Sequence, residues 1–131
     1  MLIITSAVAL AAAATSPVQN VPTSLDDLEL VQFRKKLPFR DRHERQGERI
    51  AKKANCKFSR DAYQWVQVRV EAAISFNADG SVKKVVPQKM GCTALEDYAV
   101  AHYKKYGKRG YGPVSSSGKW FRTAMNFRWP G

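Results

Sequence analysis

The sequence predicts an α+β fold: a small three-stranded antiparallel sheet in β-β-α-β order, one helix on its apolar face, and a basic helical segment ahead of it. Three observations predict it. Apolar residues recur at every second position over 66–76 and again over 121–129, the period of a strand with one buried face. The stretch NADG at 77–80 divides the first run from a short Val-rich return, as a hairpin turn does. Apolar and aromatic residues at three- and four-residue steps over 95–106 mark one helix between the second and third strands.

Residues 1–14 contain the apolar run LIITSAVALAAAA. It is too short to span a bilayer well and ends in small residues. It reads as a signal peptide with cleavage near Ala13 or Ala14, although no Lys or Arg precedes it; left uncleaved, it would anchor the chain in the inner membrane. Residues 15–33 begin as TSPVQNVPTSLDD and read as a flexible lead-in. Within it, 25–31 (LDDLELV) suggests a short helical piece capped by Ser24. The domain is expected over 34–131. Its charge-dense start, RDRHERQGERIAKKA at 40–54, places Asp41 before Arg45 and Glu48 before Lys52 by one turn. That spacing supports a solvated helix. Its apolar positions are few, with Ile50, Ala51 and Ala54 near the end.

The first strand puts Val66, Val68, Val70, Ala72, Ile74 and Phe76 on one face and Gln67, Arg69, Glu71 and Ser75 on the other. Gly80 is free to take positive φ in the turn. Residues 82–86 return as the second strand, which Pro87 ends. In the helix, Thr93 and Glu96 have the spacing of a capping box, and Gly107 suits a left-handed cap. In the last strand Phe121, Thr123, Met125, Phe127 and Trp129 alternate with Trp120, Arg122, Ala124, Asn126 and Arg128. The simplest assembly sets this strand antiparallel beside the first, which becomes central. Edge strands are either defended or used. Trp120, Arg122, Asn126 and Arg128 suit an edge to which a peptide adds as a further strand, and the same edges offer a route to a homodimer.

With 22 Lys and Arg against 11 Asp and Glu, the net charge is +11. Such a chain attracts phosphate, acidic lipid and acidic protein surfaces. For an exported protein these are envelope partners (lipid or lipopolysaccharide phosphate among them) and not nucleic acid. The cations nominated for an anionic surface are Arg45, Arg49, Lys52, Lys53, Lys104, Lys105, Lys108 and Arg109. Cys56 and Cys92 are the two cysteines, and in an exported chain one pair favours a disulfide. His43 and His102 have no metal-ligand spacing with them, so no metal or cofactor is expected. GPVSSSGKW fails as a phosphate loop, with five residues between Gly112 and Gly118 and Trp120 after Lys119. His102 lies on the packing stripe, and Asp79 and Glu96 have turn and cap roles. No catalytic constellation remains, and the chain does not read as an enzyme.

Over 66–129 the sequence resembles the TonB C-terminal domain family, the energy transducers. The resemblance rests on FNADGSVKKVV, GCTALEDYAVAHYKKY and GYGPVSSSGKWFRTAMNFRW in that order. It implies a periplasmic domain that grips a peptide of an outer-membrane receptor by strand addition to its last strand, in the service of TonB-dependent transport. On this chain that surface falls on 120–128. Energy-transducing members carry an uncleaved anchor and a Pro-rich spacer. This chain shows neither, and has DAYQWV where the family has Tyr-Pro; the resemblance thus points to a periplasmic relative with another partner. It also implies that the cysteines tie the segment before the first strand to the helix start.

Overall fold

A computed structural model describes residues 21, 22, 24–113 and 118–131. The signal segment and its cleavage site lie outside the described residues. The elements in order are α1 (Asp41–Lys53), β1 (Trp65–Phe76), β2 (Val82–Pro87), α2 (Thr93–Tyr106) and β3 (Trp120–Pro130). The strands form one antiparallel sheet in the order β2-β1-β3. The α+β class and the central first strand are as expected. β1 is the longest strand, and its partners divide it unequally. β3 pairs along it from Trp65↔Pro130 to Ser75↔Trp120. β2 meets only its C-terminal half, from Ala72↔Pro87 to Phe76↔Val82. The turn between β1 and β2 holds Gly80 at φ +87, the region glycine enters without strain.

The core lies on one face of the sheet. Val70, Ile74 and Phe76 of β1 and Phe127 of β3 are fully buried there with Leu95 of α2. Two helices cover this face where one was expected. α2 packs on β2 and β1, and α1 packs on β3 and α2. The buried residues of α1 are His43, Gly47 and Ala51, one helical turn apart. A Cβ on Gly47 would stand 2.5 Å from Phe127 Cδ1, so the missing side chain lets the helix backbone rest on the ring. The opposite face is not wholly solvated either: Ala73 and Ser75 are buried, and Ala73 lines a cleft with Pro22, Leu25 and Val86.

The Cys56–Cys92 disulfide is present and ties the loop after α1 to the start of α2. The expected cap at Thr93 is not formed. Cys92 is the N-cap residue and Thr93 is already helical, with no side-chain cap bond. Glu96 reaches past the helix end and accepts the Met90 amide at 2.9 Å. Gly107 does not adopt the left-handed cap, since its φ is −82. It is glycine for space: a Cβ would collide with Val82 and lie 2.6 Å from the Tyr103 carbonyl oxygen. The expected helical piece at 25–31 is a single turn, in which Leu28 N donates to Leu25 O at 3.1 Å.

Candidate strand-addition edge

Backbone groups of successive strand residues point to alternate sides. On β3 the parity is set by Arg122, whose main chain turns away from β1. Its amide donates to the Glu29 carbonyl and its carbonyl accepts from the Val31 amide, both at 2.9 Å. This is a parallel bridge between Leu30 and Arg122. The Arg122 side chain joins the same contact, its Nε donating to the Leu28 carbonyl at 2.9 Å. Lys119 pairs with Glu29 at 2.9 Å beside it. Residues 29–31, assigned to the lead-in by their composition, are thus built into the sheet edge, and Val31 is buried.

Ala124, Asn126 and Arg128 share the outward parity of Arg122. The Arg128 amide donates to Glu44 Oε2 of α1 at 2.9 Å. Between these two closures, the outward backbone groups of Ala124 and Asn126 have no hydrogen-bond partner among the described residues. The lead-in does not continue along them because it is drawn inward. The Phe33 ring meets Phe76 edge-on at 5.9 Å, and Arg34 N donates to the Tyr111 carbonyl at 2.7 Å. The chain bows away after Val31 and leaves a groove of about 480 Å³ walled by Leu30, Leu37, Phe39 and Met125. The polar groups in its floor are already satisfied. Tyr103 Oη and Thr123 Oγ1 share a hydrogen bond at 3.0 Å, and His102 Nε2 donates to the Pro38 carbonyl at 2.7 Å.

Of the four edge residues nominated from sequence, the structure gathers two at the open stretch. Asn126 is exposed there, its Oδ1 accepting from Arg69 Nη1 at 3.4 Å. Arg128 follows, its guanidinium stacked over the Trp65 ring at 4.1 Å. Arg122 is engaged by the lead-in, and Trp120 lies half-buried at the far end opposite Ser75. Sequence reading missed Ala124, Glu44 and the groove wall. Ala124 was within reach, because it has the same parity as Asn126. The nominated cations are spread over both helices and the following loop. Arg45 stands with Asp41, Glu44 and Glu48 around a cleft, and Arg49 Nη2 donates to Gln46. Lys52 pairs with Glu48 at 2.6 Å, and Arg109 lies 3.9 Å from Asp79. Lys53, Lys104, Lys105 and Lys108 form no ion pair among the described residues.

His102 belongs to an aromatic cluster with Phe39, His43 and Tyr106, the two imidazoles 4.7 Å apart. His43 Nδ1 accepts the Arg40 amide at 2.9 Å, which requires a ring unprotonated at that atom. Burial lowers the pKa of both histidines below 6.5, and Arg42, Arg40 and Lys105 lower that of His43 further. The folded chain therefore takes up protons on these rings less readily than the unfolded chain, which does so as pH falls through about 6.5. Stability is full above that pH and declines as pH falls through it. Thermal melts at pH 7.5 and 5.5 are expected to show a lower midpoint at pH 5.5; equal midpoints would contradict the neutral pair.

Among the described residues no group of three or more His, Cys, Asp or Glu could hold a metal ion, and no helix is long and apolar enough to cross a membrane. Comparison with protein-family models, with curated proteins and with solved structures finds no match. Function is therefore read from the edge itself.

Proposed function

We propose that this chain is a periplasmic protein-binding module of TonB C-terminal type, which takes a short peptide of an outer-membrane or envelope protein as an added strand along β3. The observation that carries this reading is the pair of unpartnered outward positions, Ala124 and Asn126, beside an apolar groove. Main-chain hydrogen bonds at a sheet edge supply affinity, and pockets for alternate side chains supply selectivity. The order of β1, β2, α2 and β3 accords with this type of domain. The disulfide suits an oxidising compartment, as export by a signal peptide would require.

The test is Asn126→Pro. Proline removes an outward amide and leaves the ladder to β1 unchanged, which an edge strand tolerates. Peptides selected from a displayed library against the native chain should bind the folded Asn126→Pro variant at least about tenfold more weakly, the loss of one main-chain hydrogen bond. Equal affinity in a variant with native circular dichroism would remove strand addition from consideration. A second reading, attachment to anionic lipid or lipopolysaccharide phosphate, draws on Lys53, Lys104, Lys105 and Lys108, the four nominated lysines that form no ion pair among the described residues. It calls for vesicle binding that weakens steeply with salt and ignores Asn126→Pro.

A further inference from the structure

The first turn of α1 closes one end of the open stretch of β3, and a histidine fastens that turn. Glu44 Oε2 accepts the Arg128 amide at 2.9 Å, in the place that a carbonyl of a neighbouring strand would fill. His43 directly precedes Glu44. It is the third residue of α1, and its Nδ1 accepts the amide of the N-cap residue Arg40 at 2.9 Å. Glutamate or glutamine holds this position in a capping box. An imidazole differs from both, because it loses the acceptor when it takes up a proton near neutral pH.

The same ring docks the turn on its surroundings. It stacks on Phe39 at 5.8 Å and meets His102 and Tyr106 of α2 edge-on at 4.7 and 5.7 Å. The charges that act on it are cations: Arg40 from the preceding segment, Arg42 from α1 and Lys105 from α2. Lys105 also acts on His102, beside which Lys36 and Arg69 line the groove. Tyr98 lies against His102, and β3 faces the cluster with the Phe127 ring. The acidic residues of the turn, Asp41 and Glu44, line the cleft beside Trp65 and Arg128. A proton on His43 therefore removes the cap acceptor and sets one more positive charge among those present.

The turn can leave alone. Its own bonding is uneven: His43 N donates to Arg40 O at 2.8 Å, whereas Glu44 N reaches the same carbonyl at 3.3 Å. The rest of α1 is held by Gly47 on Phe127 and, past its end, by Cys56 bonded to Cys92. His102 Nε2 donates to the Pro38 carbonyl in either charge state, which keeps the preceding segment on α2.

Building on strand addition at β3, we infer that the first turn of α1 is an acid-released clasp on this edge: protonation of His43 frees Glu44 from the Arg128 amide and extends the open stretch from two outward positions to three. An added strand then matches Ala124, Asn126 and Arg128 over about 14 Å, twice the span available with the clasp shut.

The experiment has two parts, both at pH 7.5 and 5.5. The lower value lies above the ordinary carboxylate range, so the two histidines of the chain are the side chains that titrate. The first part is amide hydrogen exchange resolved by NMR, expressed as protection factors. A free imidazole is about ten parts protonated to one at pH 5.5, so the Arg128 amide should lose up to about tenfold of its protection there. It should stay less protected than Val70, which pairs with Met125 inside the sheet. His43→Gln, which keeps an uncharged acceptor at the cap, should hold Arg128 level across the two pH values. No loss in the native chain, equal loss in His43→Gln, or protection at Arg128 as high as at Val70 would each overturn the clasp.

The second part measures histidine-free peptides selected from a displayed library against the native chain. Affinity should rise by up to about tenfold at pH 5.5, in step with the share of molecules whose clasp is open, and His43→Gln should remove the rise. Affinity level with pH but lost in Asn126→Pro would overturn control by the clasp and leave strand addition standing. Affinity insensitive to Asn126→Pro would overturn both.

Discussion

Replacing Phe127 by alanine is expected to unfold a large share of the molecules at body temperature. Phe127 is 1% exposed and touches every layer of the core. Its ring meets Phe39 edge-on at 5.3 Å and lies 6.0 Å from Tyr98. The backbone of α1 rests on it at Gly47. Truncating a buried phenylalanine costs about 3–5 kcal/mol, because the cavity closes only in part. Here the closing would fall to Gly47, which has no side chain to offer. Set against a typical total of about 5–15 kcal/mol for a whole domain, that loss is large. Thermal melts should show the midpoint lowered by more than about 12 °C. A drop below about 5 °C would mean that Phe127 does not join α1 to the sheet.

Removal of the disulfide, as Cys56→Ala with Cys92→Ala, is expected to have an effect of similar size by a different route. The bond closes a sequence separation of 36 residues. In the chain-entropy account, opening such a loop releases the unfolded chain and costs roughly 4 kcal/mol. Both cysteines are replaced because Cys92 is 1% exposed and a lone thiol there would complicate the comparison. The closed segment contains β1 and β2, two of the three strands, so the bond restrains the hairpin in the unfolded chain. Melts of the native chain with and without reductant provide the check. A midpoint unmoved by reductant, with the thiols shown to be reduced, would contradict the expected contribution.

The sheet was legible in the sequence because its signal is local. Period-two alternation over 66–76 and 121–129 fixes which residues share a face, and the NADG turn fixes the first pairing. The packing of α1 was not legible. Its buried face is written in His43, Gly47 and Ala51, two of which add nothing to an apolar stripe. Gly47 signals contact by the absence of a side chain. The start of α2 was set one residue late, because the Thr93 and Glu96 spacing suggested a capping box and the helix begins at Thr93 with no side-chain cap. The candidate site was legible in outline, as an edge strand bearing Asn126 and Arg128. Its closures were not. The bridge at Leu30 joins distant residues with no periodicity to announce it, and Glu44 acts through a single carboxylate oxygen.

The ladder between β1 and β3 has a consequence in time. Its pairs run from Trp65↔Pro130 to Ser75↔Trp120, so the central strand waits for the last element before most of its length is matched. The Lys119–Glu29 contact, which helps seal the edge, joins residues 90 positions apart. Pairings of such long range form slowly, because the chain between them must be ordered first. Until β3 has been synthesised the sheet cannot be completed, since β1 lacks its partner for most of its length. The same delay leaves β1 bare on one side for that interval, a strand of valines exposed to any neighbour able to pair with it.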